Sequence, residues 1–495
     1  MSERKPPCNR RQRSRLHAVT TVDTTITLGK EKERKVDQYN MKQTFTMNQK
    51  LKQVIIILLP ILVTQVALQC MSFFDTVMSG NFNKENLAGV AVAVSYWAPV
   101  YTGLTGIFLA VTPIVAQNMG AGNRSKIASS VIQAAYLSLL FGVAVLILGL
   151  FAVDPLINLM NLEAEVDRVA KSFLKAIGIG VVPLFVYTVI RATIDGLGMT
   201  RVTMFITLLS FPVNVLLNYL FIFGNFGFPR LGGVGSGVAT AITYIVILIV
   251  ALLFVKRNAL MRELALFSRW ERIRFAEWRE ILRIGVPIGL SIFLEVGVFS
   301  MVTLLMSGYD TVTIASHQSA LNFASLLYML PLSIAMSLTI LVGFEVGAKR
   351  YQDARQYARI GMVSAVLLAV ICAIFLVIFR VKIAGLYSQD PIVIAMTESF
   401  LVYALFFQLS DAIAAPIQGA LRGYKDVNSV FIIALVSYWV IGLPVGTMLA
   451  KLTPLEAYGY WVGLITGLAV GAIALFLRLR VIERRVRVKN ACMEE

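Results

Sequence analysis

The 495-residue chain holds two histidines and four cysteines, and only 15% of it is charged. His17 and His317 lack a metal-like partner at ligand spacing, and Cys8, Cys70, Cys372 and Cys492 form no C-x-x-C pair. No transition-metal site is expected from such a set. Cys70, Cys372 and His317 lie in apolar stretches and read as packing residues. A P-loop is missing, as are H-E-x-x-H and a nucleophile elbow. The chain is therefore not read as an enzyme, and no cofactor is implied.

What the chain has in excess is hydrocarbon. Hydrophobic residues make up 57% of it, with a mean hydropathy of +0.75. Soluble domains are about 45–50% apolar, so this is an integral membrane protein with the lipid bilayer as its solvent. The net charge of +17 would suit a nucleic-acid partner if it formed one patch. Instead the basic residues sit in tails and alternate loops, the positive-inside pattern, so no nucleic acid is expected.

Twelve apolar segments each approach the roughly 20 residues that a bilayer requires. They fall near 54–79, 87–115, 127–151, 168–190, 201–224, 235–256, 281–307, 312–343, 357–380, 393–420, 428–450 and 456–479. Continuous runs of this length predict helices rather than barrel strands. The even gaps carry Arg124 and Lys126, Arg191 and Arg201, Lys349, Arg350 and Arg355, and Arg422 and Lys425; the odd gaps carry few cations. Both termini are thus expected in the cytoplasm, with the chain crossing the cell membrane.

The chain also repeats itself. Pro60 matches Pro287, Ala88 Ala315, Thr112 Thr339, Gly120-Ala121 Gly347-Ala348 and Gly196 Gly423, each at an offset of 227 residues. Six spans per unit return the chain to its starting side. The expected architecture is all-α, with twelve transmembrane helices in two six-helix lobes related by a pseudo-twofold along the membrane normal. The lobes are expected at 47–256 and 281–480, in a monomer. Residues 1–46 carry 11 Lys/Arg against 5 Asp/Glu and read as a disordered basic extension, dispensable and with a mis-assigned start. Segment 257–280, with Trp270, Phe275 and Trp278 among its charges, reads as an amphipathic helix in the headgroup region. Residues 481–495 read as a basic cytoplasmic tail.

Three carboxylates lie inside this hydrocarbon: Asp75, Glu295 and Asp411. An ionisable group in a span costs roughly 2.5–3.5 kcal/mol or more, and usually faces a cavity, a cation or a proton path. Asp411 shares a helical face with Tyr403, Phe407 and Gln418; Glu295 has Phe299 one turn on. Aromatic surface beside a charge suits an organic cation or a dehydrated Na⁺. Asn214 and Asn218, at i and i+4, are placed for interhelical hydrogen bonds or for lining a cavity. Asp195 and Glu345 sit at helix ends near Arg191 and Lys349, where ion pairing is expected.

Several stretches together carry a family resemblance. FFDTVMSG and LAGVAVAVSYW follow the first span, TPIVAQNMGAG precedes the third, RATIDGLGMTR closes the fourth and FPVNVLLNYLFIFG forms the fifth. VPIGLSIFLEVGVF and DAIAAPIQGALRGYKD lie in the seventh and tenth. Over about residues 50–480 the chain resembles the multidrug and toxic compound extrusion (MATE) family, in its NorM-like bacterial branch. The resemblance implies a secondary active antiporter exporting small cationic, lipophilic compounds in exchange for Na⁺ or H⁺. It implies cation-binding and coupling roles for Asp75, Glu295 and Asp411, with Asn214 and Asn218 lining a cavity near Asp75. Phe407 stands where some relatives are expected to carry a Tyr, so a hydroxyl ligand is missing there. The alternative is a flippase for a lipid-linked or polyanionic substrate on a related fold, which would want a long groove of Arg and Lys.

Overall fold

The structure, a computed structural model, describes residues 41–160, 162–264, 266 and 271–494. The extension expected to be disordered falls, as far as residue 40, outside the described residues. Thr44–Glu495 forms one compact unit. Among the described residues, eleven helices are long and apolar enough to cross a membrane, and a bent pair supplies a twelfth crossing. Helices dominate because a backbone in hydrocarbon must satisfy its own hydrogen bonds.

In chain order the first half contains α1 (Met47–Gly80), α2 (Lys84–Phe108), α3 (Val111–Gly120), α4 (Arg124–Asn158), α5 (Ala164–Ile179), α6 (Val181–Gly196), α7 (Thr200–Phe223) and α8 (Gly233–Arg257). A short α9 (Ala259–Glu263) leads to the second half. That half contains α10 (Phe275–Met306), α11 (Thr311–Gly347), α12 (Tyr351–Tyr387), α13 (Pro391–Gly423), α14 (Val427–Ala434), α15 (Leu443–Leu452) and α16 (Ala457–Glu494). Side chains fix several starts. Thr46 and Gln49 form a capping box on α1, Asn83 caps α2, and Asp310 and Asp390 cap α11 and α13. Asp310 lies outside the spans, and the Thr313 hydroxyl holds its carboxyl below the usual range.

Three elements add detail to the sequence expectation. The fourth crossing bends by 49° between α5 and α6. At the break, Gly180 lies so close to α8 that a Cβ there would fall 2.8 Å from the Ala241 Cα. Within the linker segment α9 is helical, 271–274 is a non-helical stretch, and 275–280 with Trp278 already belongs to α10; residues 265 and 267–270, Trp270 included, lie outside the description. Polar side chains of α4 claim this stretch. Gln133 donates to the Arg272 carbonyl (2.8 Å) and accepts from the Arg274 amide (3.0 Å), and the Tyr136 hydroxyl donates to the Glu271 carbonyl (3.2 Å). Backbone groups satisfied from outside do not need a helix. Residues 481–494 of the basic tail are helical and continue α16.

The halves meet reciprocally. A Cβ on Gly120 would collide with the Phe344 carbonyl oxygen, and one on Gly347 with that of Gln117. Both pairs of positions are 227 residues apart, as a two-fold relation demands. Thr112 donates to the Ala192 carbonyl (3.3 Å) and Thr339 to that of Gly419 (3.0 Å), again at matched positions. Further bonds cross between halves near the end where α1 begins. Gln117 donates to the Gly423 carbonyl (2.8 Å), Thr44 meets the Tyr357 hydroxyl (2.7 Å) and Arg350 donates to the Thr44 carbonyl (2.6 Å). Residues 44–46, expected to be dispensable, therefore hold α1 to the second half.

Two ion pairs flank this end. Lys50, 1% exposed, reaches Asp353 at 2.8 Å, while the exposed Lys126 reaches Glu280 at 3.6 Å. Lys126 corresponds to Asp353, and Glu280 lies one turn beyond Glu277, the counterpart of Lys50. The two latches thus occupy matched places with their charges exchanged.

Candidate functional site

The first half carries its acid on α1. Asp75 is half-buried, and its Oδ1 accepts from the Asn218 Nδ2 at 2.5 Å. The same amide also donates to the Asn214 Oδ1 at 3.0 Å. One turn of α7 separates the asparagines, so both present to α1, and both are fully buried. Asn214 also acts on the Asp75 carboxylate, while Asn218 Oδ1 has no partner, so the cluster retains one acceptor unspent. Tyr244 of α8 interacts electrostatically with the Asp75 carboxylate. The sequence-expected trio of Asp75, Asn214 and Asn218 is one cluster in the structure.

The second half is built differently. Glu295 on α10 accepts a 2.9 Å hydrogen bond from the Tyr328 hydroxyl of α11. Asp411 on α13 is 2% exposed, and its Oδ2 has no partner. The two carboxylates interact with each other, and both act on Tyr328 and on Tyr438. Tyr438 comes from a π-helical stretch, Leu435–Gly442, between α14 and α15. Such wide turns interrupt the α-helical ladder and recur at functional sites. Next to it, the Trp439 indole donates to the Leu294 carbonyl (3.1 Å), fastening the stretch beside Glu295.

An aromatic wall adjoins the acids. Phe299 meets Phe407 edge-on at 5.5 Å, and Phe407 meets Trp461 at 6.4 Å. The Trp461 indole donates to His317 Nδ1 at 3.1 Å. Since indole is a donor only, His317 carries its proton on Nε2, which faces the Thr303 hydroxyl at 3.3 Å. His317 is buried, in keeping with a packing role, and it fixes the tryptophan. Cys70, expected to pack, is exposed.

Two expected cavity residues stand apart from the acids. Tyr403 lies eight residues before Asp411, about 12 Å along a helix, and stacks on Tyr458 at 5.2 Å. Gln418 accepts from Arg422 at 3.4 Å, and it meets the acids through that guanidinium, which interacts with Glu295. Asp195 pairs with Arg191 as expected (3.7 Å), whereas Glu345 pairs with Arg350 (3.5 Å) rather than Lys349. Tyr328 and Tyr438 were not singled out from the sequence, and Arg422, read there as a cation of an even gap, lies at the end of α13 and interacts with Glu295. The repeat held one signal, because Tyr328 corresponds to Tyr101 and is an aromatic hydroxyl kept in both halves.

Among the described residues, no three His, Cys, Asp or Glu side chains converge. Two carboxylates with phenol oxygens and a π-rich wall suit a singly charged cation or a proton. The MatE family model matches this chain twice, at residues 60–220 and 287–448. The chain belongs to the MatE family. The matches begin 227 residues apart, the offset of the internal repeat, so each half is one MatE unit.

Among MatE relatives, the chain is 54% identical over 450 residues to the probable multidrug resistance protein NorM of Bacillus subtilis (strain 168), covering 91% of this chain and 100% of that one. It is 52% identical over 445 residues to the NorM of Halalkalibacterium halodurans, covering 90% and 97%. A solved outward-facing multidrug resistance MATE family transporter has a TM-score of 0.80 at 19% identity, covering 90% and 100%. A eukaryotic MATE transporter has a TM-score of 0.79 at 20% identity, covering 89% and 99%. The chain is accordingly a multi-pass membrane transporter with the MATE fold, and not an enzyme.

Proposed function

We propose that this transporter exports small cationic, lipophilic compounds in exchange for Na⁺ or H⁺. The observation that carries the reading is the Asp411 carboxylate, buried with one oxygen unpartnered, beside Glu295 and a wall of Phe299, Phe407 and Trp461. A buried charge without a partner is costly, and a cation or proton arriving there relieves that cost. The relatives named for multidrug resistance support the substrate class. The hydroxyl lacking at Phe407 is supplied nearby by Tyr328 and Tyr438.

Exchange follows if drug and coupling ion compete for the same carboxylates and each favours a different state of the molecule. The two lobes, 47–256 and 281–480, are then the bodies that move, with both termini in the cytoplasm. The latches Lys50–Asp353 and Lys126–Glu280 lie at that end and must part for inward opening. The flippase reading is the weaker one. Arg191 and Arg422 do enter the spans, but one pairs with Asp195 and the other interacts with Gln418 and Glu295. Among the described residues around the carboxylates, these pairings leave no run of free basic side chains to hold a pyrophosphate.

The test is dye efflux from proteoliposomes under an imposed Na⁺ gradient or an imposed pH gradient. Efflux driven by one gradient alone, and lost in Asp411→Asn, is expected and names the ion. Indifference to both gradients overturns the antiport reading.

A further inference from the structure

At the end of the molecule where α1 begins, the first turns of α12 and the last turns of α16 enclose a cavity of about 210 Å³. It is lined by Arg355, Arg480, Arg484 and Arg487 with a single carboxylate, Glu483. Glu483 takes the Arg355 guanidinium at 2.8 Å and also faces Arg359 and Arg480. One negative charge is thus shared among several positive ones, and the cavity is left strongly cationic. Arg480 lies over the Phe476 ring at 4.8 Å, which holds its guanidinium at the rim.

The residues beside the cavity give its occupant a second end. On α12, Arg355, Arg359, Val363 and Leu367 recur every four residues and form one stripe. On α16, Ile473, Leu477, Arg480, Arg484 and Arg487 do the same at spacings of three and four. Each stripe passes from guanidinium at the helix end to exposed aliphatic surface within the span. Val363, Leu367, Ile473 and Leu477 are 58–63% exposed. A free anion would use the guanidinium end alone. An amphiphile with an anionic head uses both.

We propose that this cleft binds the phosphate headgroup of an anionic phospholipid, with the acyl chains lying along the α12 and α16 stripes. Guanidinium pairs phosphate bidentately, and basic clusters at the membrane surface select anionic lipids. The site is remote in sequence from the carboxylates of the exchange reaction, and it stands whether or not that reading holds.

The experiment uses the purified full-length chain in detergent, titrated with dioleoylphosphatidylglycerol, dioleoylphosphatidylcholine or glycerol 1-phosphate and read by native mass spectrometry. Phosphatidylglycerol is expected to bind more tightly than the other two. Joint replacement Arg480→Gln, Arg484→Gln and Arg487→Gln should weaken it on the order of 100-fold and leave phosphatidylcholine unchanged. Glu483→Gln removes the competing carboxylate and should tighten phosphatidylglycerol binding about 3-fold, a gain that misfolding does not produce. Unchanged phosphatidylglycerol affinity in the triple variant overturns the proposal. So does glycerol 1-phosphate binding as tightly as the lipid, which assigns the cleft to a free anion. If the triple variant fails to fold, unchanged or weaker binding in Glu483→Gln overturns it.

Discussion

The two halves of the chain agree in their joints and disagree in their chemistry. Thr64 and Ser291 donate to the carbonyls of Pro60 and Pro287, at 2.8 and 2.6 Å, in matched places on α1 and α10. Gly120 and Gly347 seat the halves against each other in the same way. The acids show no such agreement. Asp75 corresponds to Val302, Glu295 to Leu68 and Asp411 to Leu184; Asn214 and Asn218 correspond to Ile441 and Val445. Packing contacts across a two-fold relation constrain both copies at once. A polar cluster inside one half does not, so each half was free to acquire its own. The first half holds one carboxylate with two amides; the second holds two carboxylates with two phenols and an aromatic wall.

The contrast can be broken at the latches first. Asp353→Asn leaves the buried Lys50 ammonium without its carboxylate and should cost about 3 kcal/mol in thermal unfolding. Lys126→Met, at the matched but exposed pair, should cost about 0.5 kcal/mol or less. Equal losses would remove the asymmetry between the latches.

The acids come next. Asp411→Asn should lower gradient-driven efflux by about 100-fold, near the top of the usual range of coupling between sites. Asp75→Asn should lower it by about 5-fold or less. The opposite order would move coupling to the first half. Smaller still are the hydrogen bonds that hold the acids. Tyr328→Phe and Asn218→Ala should each cost about 1 kcal/mol of stability, and only Tyr328→Phe should also change the ion concentration for half-maximal efflux. The smallest effect concerns the backbone. Gly122 and Lys349 occupy matched left-handed positions, at φ of 70° and 60°. Lys349→Gly should therefore raise stability by about 1 kcal/mol in thermal unfolding, as the glycine in the first half already does.

Much of this was legible in the sequence because a bilayer simplifies the code. Span length, the 227-residue offset and the cost of charge in hydrocarbon locate the crossings, the duplication and the three acids. The asparagine pair was readable because i and i+4 fix a shared face. What escaped notice depends on contacts between distant spans. Nothing local to Tyr328 or Tyr438 says that α11 and the π-helical stretch converge on Glu295. Nor does the sequence around Thr44 announce its meeting with Tyr357, 313 residues away. The linker's mix of aromatics and charges also does not reveal its break at 271–274, where Gln133 and Tyr136 on α4 offer the backbone partners from outside. Gly180 marked the bend in the fourth crossing only once Ala241 was seen against it.

The exchanged charges of the latches bear on assembly. Two first halves docked through the same two-fold contact would set Lys50 against Lys126, and two second halves would set Glu277 against Asp353. Like charges face each other in either case, whereas one half of each kind gives attraction at both places. The chain therefore encodes which half its own half should recognise. Halves produced as separate polypeptides should assemble as mixed pairs and resist pairing with themselves.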